Sequence, residues 1–304
     1  MEAPESPEAP HAPAPSAPVT RTVGVGPDGD DTARTAVPPA GAVAPAGLLT
    51  ARAVVPAALG LALAVTVWAV GLPAGPSLFG SSLADLTVPT AILLALTGLW
   101  LAGWTSTSRE AWRVVDIVTA SVLGVAGGFL FVLWNLSWPV VSGALAAFPP
   151  ASGIGVGIWL LPGVLGALVI RKPGAALYTE LLAAVVSALV GNQWGFSTVW
   201  YGFLEGLGPE VLFAILLYRR FGLGASLGGG AAAGVVVGLL DTFVYYPEFS
   251  PVFKAVYIVA AITSGVVIAG VGSWALTRAL ARTGALSSLA SGRDARREIG
   301  RAHV

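Results

Sequence analysis

From residue 52 onward the chain alternates between long apolar runs and short polar interruptions. Two runs, roughly 54–72 and 86–104, are each close to the ~20 residues needed to cross the hydrocarbon core of a bilayer. Six more follow Trp112, roughly at 114–137, 153–170, 174–190, 197–218, 226–246 and 252–277. The pattern predicts an all-α polytopic membrane protein. Ahead of it, residues 1–50 are rich in Pro, Ala and Gly with few aromatics, and read as a disordered tail that buries too little apolar surface to offset its ordering entropy. The predicted organisation is a tail (1–50), two accessory helices (51–108), a six-helix unit (109–282) and a basic tail (283–304).

Composition narrows the chemistry. The 304 residues are 55% hydrophobic and 11% charged with zero net charge, against about 25% charged in soluble proteins. There is no cysteine, and the two histidines, His11 and His303, lie outside every apolar run. Disulfides and thiolate metal sites are excluded, and histidine-based catalysis and intramembrane zinc hydrolysis are disfavoured. No Walker motif occurs, so the chain does not itself hydrolyse ATP by a P-loop mechanism. The Gly153-x-Gly155-x-Gly157 run follows no strand and opens an apolar helix, which argues against nucleotide binding there. The expectation is a protein with no catalytic residues, no metal, no cofactor and no nucleic-acid partner.

Basic residues set the orientation, because they accumulate in cytoplasmic loops. Arg52, Arg109, Arg113, Arg171, Lys172, Arg219, Arg220, Arg278 and Arg282 fall in alternate connections. The intervening ones, 73–85 (with Asp85), 138–152, 191–196 and 247–251, contain neither Lys nor Arg. Both termini are therefore expected in the cytoplasm.

The stretch from Arg171 to Arg220 carries the unusual chemistry. Glu180, Glu205 and Glu210 fall inside predicted spans here, and Asp241 in the next, with no interior Lys or Arg to match them. A carboxylate at membrane depth is costly, so it is protonated, hydrogen-bonded or matched by an external cation. Structural pairing with backbone or hydroxyl groups is one reading for each; four together point to a cavity for a cationic or proton-donating ligand. At 1.5 Å per residue, Glu180 lies roughly 15 Å and Asp241 roughly 7.5 Å from the outer ends of their spans. Glu205 and Glu210 are about 140° apart on an ideal helix, so facing one cavity requires distortion. Gly206, Gly208 and Pro209 are expected to supply it by local unwinding that frees carbonyls for a ligand.

Aromatics gather toward the outer side: Trp134, Trp138, Trp159, Trp194, Trp200, Tyr201, Tyr245 and Tyr246. Most are expected in the interfacial belt. One or two stack on a flat or cationic ligand in this reading, Trp194 foremost, with Trp134 and Trp159 as further candidates. Ala120, Gly124 and Gly128 make a small-residue stripe at four-residue spacing, suited to close approach of another helix, within the chain or from a partner.

At these residues the chain resembles a known family. Arg171-Lys172-Pro173-Gly174-Ala175-Ala176, Glu180, Gly191-Asn192, Gly195 and Gly206-Leu207-Gly208-x-Glu210 are similar to the YkoE-type S components of energy-coupling-factor transporters. The likeness covers roughly residues 112–282 and leaves out the first 110; at position 205 the family commonly has Gln where this chain has Glu. It implies a six-helix S-component core that captures thiamine or its hydroxymethylpyrimidine precursor within a complex. Two ATPase subunits and a transmembrane coupling subunit complete that complex. It also implies that Glu180, Asn192, Glu210 and Asp241 belong to or border the pocket. It further implies that Ala120, Gly124 and Gly128 meet the coupling subunit. The alternative is a secondary transporter of a small organic cation that uses the carboxylates for proton or sodium coupling.

Overall fold

The computed structural model describes residues 51–70, 87–105 and 111–294. The expected disordered tail, the connection holding Asp85, and Arg109 lie outside the described residues. Among those described, every regular element is helical. Helices α1 (Ala51–Val70) and α2 (Thr87–Thr105) correspond to the two accessory runs. The six-helix unit begins with α3 (Val114–Ala144). A 3-10 segment (Pro149–Ile158) then leads into α4 (Leu161–Ile170). After these come α5 (Ala175–Val190), α6 (Ser197–Ile215) and α7 (Leu223–Val244). The last span is α8 (Pro251–Ser264) continued by a π-helical segment (Gly265–Val271) and α9 (Gly272–Arg282). Val114–Ala144, Pro149–Ile170, Leu223–Val244 and Pro251–Arg282 are long and apolar enough to cross a membrane. The chain is a multi-pass membrane protein.

Local sequence explains the breaks. Pro162 sits in the first turn of α4, where its missing N–H has no partner to lose. Arg171 (φ 61°) ends that helix in the left-handed region, and Gly174 (φ 86°) opens the next. Ser250 caps α8 by accepting from the Phe253 N–H at 3.3 Å. The Gly153/Gly155/Gly157 run is a packing device, as a Cβ at Gly153 would stand 2.7 Å from the Tyr257 carbonyl oxygen. Ser264 ties the same contact, its Oγ accepting from the Gly157 N–H at 2.9 Å.

The small-residue stripe of α3 is spent inside the chain, which corrects the coupling-subunit reading. A Cβ on Gly124 would lie 2.9 Å from Leu182 Cβ, and one on Gly128 2.5 Å from Val186 Cβ, both on α5. Ala120 is fully buried in a cluster with Leu165, Val169 and Ala175. The opposite face of α3, with Val118, Val122, Phe129, Leu133, Leu136 and Val140, is exposed and carries bulky apolar side chains.

The accessory pair joins the bundle through α2. Ile92, Leu93, Leu96 and Trp100 pack on Tyr201, Leu204 and Leu207 of α6 and Val236 and Leu240 of α7. At the opposite end, residues 283–294 fold back over α4 instead of leaving as a solvated tail. Leu286 and Leu289 are buried, Ser291 Oγ donates to the Val169 carbonyl at 2.9 Å, and Asp294 pairs with Arg171. This happens because the segment carries two leucines that complete an apolar cluster with Val169, Ile170 and Ala175.

Candidate ligand pocket

α6 stays helical from Ser197 to Ile215 with Pro209 inside it, so the expected unwinding does not occur. Its two glutamates consequently point to different places. Glu205 lines a cavity of about 330 Å³ near the α5–α6 loop, a volume within the ~300–1,000 Å³ usual for small-molecule sites. Glu210 faces the other end of the bundle, where its carboxylate caps α5. Oε1 accepts from the Gly174 N–H at 2.6 Å and the Tyr218 hydroxyl at 2.6 Å. Oε2 accepts from the Ala176 N–H at 2.9 Å and the Leu177 N–H at 3.2 Å. A carboxylate at a helix N-terminus satisfies orphan donors and meets the positive end of the dipole. Glu210 is thus a capping group for the Arg171–Ala176 motif and lies outside the pocket lining, which corrects the expectation for it.

The cavity draws walls from six spans. α3 contributes Phe131, Asn135 and Trp138, and the turn before α4 contributes Val156 and Trp159. α5 adds Ala184, and Trp194 hangs in from the loop after it. α6 gives Thr198, Tyr201 and Glu205; α7 gives Val237 and Asp241; Tyr245, Tyr246 and Tyr257 close the remaining side. No Lys, Arg or His is among these lining residues.

Trp159 is the centre of an indole cluster. Its ring makes edge-on contacts with Trp138 (centroids 4.8 Å apart), Trp194 (5.4 Å) and Trp134 (6.2 Å). Its Nε1–H donates to Asn135 Oδ1 at 2.8 Å, and Asn135 Nδ2 donates onward to Ser187 Oγ at 3.1 Å. Trp134 stands behind this row, anchored by its Nε1–H to the Gly155 carbonyl at 3.1 Å. The indoles are therefore fixed before any ligand arrives, which lowers the ordering cost of binding.

Across the cavity, the Tyr257 hydroxyl donates to Asp241 Oδ2 at 2.5 Å and holds that carboxyl in place. Asn192 organises the mouth without lining it. Its Oδ1 accepts from the Trp194 N–H at 2.9 Å and from Thr198 Oγ1 at 3.1 Å, fixing two residues that do line the cavity. Glu180 also lies outside the lining: it is buried, with Oε2 accepting the Gly163 N–H at 2.6 Å.

Of the residues singled out from sequence, Glu205, Asp241, Trp159 and Trp194 line one cavity. Trp134, Asn192 and Glu180 stand directly behind or beside its walls, and Glu210 is remote. Asn135 and Tyr257 were not anticipated, and Trp138, Tyr201, Tyr245 and Tyr246 line the cavity where a membrane-interface belt was expected for most of them. Asn135 left a signal, a lone amide in an otherwise apolar run. Asp116, another buried carboxylate missed in the sequence, pairs with Lys172 at 2.8 Å and Arg113 at 2.8 Å, far from the cavity.

Comparison with known proteins gives three findings. A family model described as the permease component of an ABC-type cobalt transport system matches residues 115–236. The chain is 32% identical over 196 residues to a protein of Bacillus subtilis (strain 168) named as the HMP/thiamine permease protein YkoE. That match covers 64% of this chain and 96% of the relative. Its fold is similar to a crystal structure of an S-component of an ECF transporter, with TM-score 0.60 and 32% identity, covering 64% of this chain and 98% of that one.

Proposed function

This chain belongs to the YkoE family of S components of energy-coupling-factor transporters, and on that premise we propose that its cavity captures thiamine or the hydroxymethylpyrimidine moiety. The observation that carries this reading is the pairing of Glu205 and Asp241 with a fixed indole row across one cavity that has no basic lining residue. Thiamine matches it in kind. Its thiazolium is a cation for the carboxylates and the ring faces, and its aminopyrimidine offers donors and acceptors to Glu205, Asp241 and the Asn135 amide. The name of the B. subtilis relative supports the same ligand class.

In this proposal the chain binds and carries no catalytic group. A transmembrane coupling subunit and two ATPase subunits supply the energy, and both termini lie in the cytoplasm with the cavity toward the outside. The purified chain should give a binding isotherm with thiamine or the pyrimidine in the absence of ATP, and uptake into proteoliposomes should require ATP and the partner subunits. No heat from a folded preparation with either ligand overturns the ligand assignment. Uptake driven by a proton or sodium gradient without ATP overturns the coupling.

A further inference from the structure

Two asparagines beside the cavity are each oriented by a tryptophan that lines it. The Trp159 Nε1–H donates to Asn135 Oδ1 at 2.8 Å, and the Trp194 backbone N–H donates to Asn192 Oδ1 at 2.9 Å. Both tryptophan groups are donors only, so each amide turns its oxygen to the tryptophan and its nitrogen away. The two nitrogens converge on one atom. Asn135 Nδ2 donates to Ser187 Oγ at 3.1 Å, and Asn192 Nδ2 donates to it at 3.3 Å. A serine hydroxyl oxygen has two lone pairs and can accept both. The two indoles in turn meet each other, with centroids 5.4 Å apart and planes at 88°. The contacts therefore close into a ring that runs Trp159, Asn135, Ser187, Asn192, Trp194.

Ser187 itself does not line the cavity; it is fully buried on α5. A serine or threonine inside a helix often bonds the carbonyl one turn back, as Thr179 and Thr242 do in this chain. Ser187 instead receives side chains from α3 and from the α5–α6 loop. Its carbonyl also accepts the Gly191 N–H at 3.1 Å, where that loop begins. The loop runs between Gly191 (φ 104°) and Gly195 (φ 60°), and a Cβ at either would meet nothing within 4 Å. These glycines serve the backbone angle and not close packing. Polar bonds hold the loop: those of Asn192, and Ser197 Oγ donating to the Trp194 carbonyl at 2.7 Å. We propose that Ser187 is a positioning residue for capture. Through the two asparagines it sets the angle between Trp159 and Trp194, two of the cavity-lining indoles on which a flat ligand rests. The effect on ligand rests on the thiamine reading, whereas the ring of contacts does not.

Calorimetry with thiamine on the purified full-length chain, compared across three substitutions, tests the hydroxyl. Ser187→Ala should weaken binding by about two- to tenfold, the worth of a neutral hydrogen bond. Ser187→Thr and Ser187→Val add the same bulk, but only threonine keeps the hydroxyl. Threonine should bind more tightly than valine by a similar factor. Equal affinities in the two would mean that the site responds to volume alone, which overturns the proposal. If neither folds, a double-mutant cycle decides. Ser187→Ala should cost clearly less on top of Asn192→Ala than it does alone, and full additivity overturns the ring. Nuclear magnetic resonance of the ligand-free chain supplies an arm without thiamine. The Trp159 indole N–H resonance, assigned by its loss in Trp159→Phe, should move in Ser187→Ala as the Asn135 amide is released. An unmoved resonance overturns the proposal. If the wild type binds no thiamine, the ligand reading falls and this resonance alone supports or overturns the ring.

Discussion

Glu205 and Glu210, five residues apart on one unbroken helix, serve opposite ends of the bundle: the first lines the cavity and the second caps α5. The separation of about 140° that five residues produce on a regular helix assigns them different neighbours. Their substitutions should therefore differ in kind.

Glu210→Gln should chiefly lower stability. Both carboxylate oxygens accept hydrogen bonds, so an amide group must face donors whichever way it turns. Losing charge-assisted bonds of this sort costs about 1.5–3 kcal/mol each. Thermal unfolding in detergent should show the loss. A variant of wild-type stability with ligand affinity reduced more than tenfold (~1.4 kcal/mol) would return Glu210 to the site.

Tyr257 and Asp241 should behave as a unit in binding. Tyr257→Phe removes the hydroxyl donor that fixes the carboxyl, and a bond to a charged group is worth about 1.5–3 kcal/mol, or roughly 10- to 150-fold in affinity. In a double-mutant cycle read by calorimetry, Tyr257→Phe should add little to Asp241→Asn. Fully additive losses would mean that the tyrosine contacts the ligand independently.

Gly128→Leu should damage the fold of the isolated chain. A single added Cβ already meets Val186 Cβ at 2.5 Å, so a leucine forces α3 from α5. Overpacking of this type costs about 1–3 kcal/mol or more. A normal melting temperature combined with a lost partner complex would restore the external role of the stripe.

Lys172→Met leaves the Asp116 carboxylate buried with Arg113 as its remaining cation. Because Arg113 stays, the expected loss is about 1–3 kcal/mol, below the ~3–5 kcal/mol of a wholly unpaired buried charge. Adding Asp116→Asn should recover part of it, as unfolding of the single and double variants would show. A double variant no more stable than Lys172→Met would mean that the lysine acts through its 2.7 Å bond to the Ala111 carbonyl alone.

The sequence by itself determined the helical membrane character, the near-boundaries of the spans, and that carboxylates without basic partners would be buried among aromatics. These follow from the length of the apolar runs and the cost of placing charge in hydrocarbon, both of which are local properties of the chain. Even Glu205, Asp241, Trp159 and Trp194 were readable on that basis. Tertiary structure decided which polar atom met which partner. Glu210 turned to the first turn of α5 because four donors converge there, and Gly124 and Gly128 met Leu182 and Val186 of the chain's own α5. Asn135 entered the cavity because Trp159 and Ser187 came to it from other spans. Helix periodicity fixes the direction in which a side chain leaves its own helix; only the packing of the other helices fixes what it finds there.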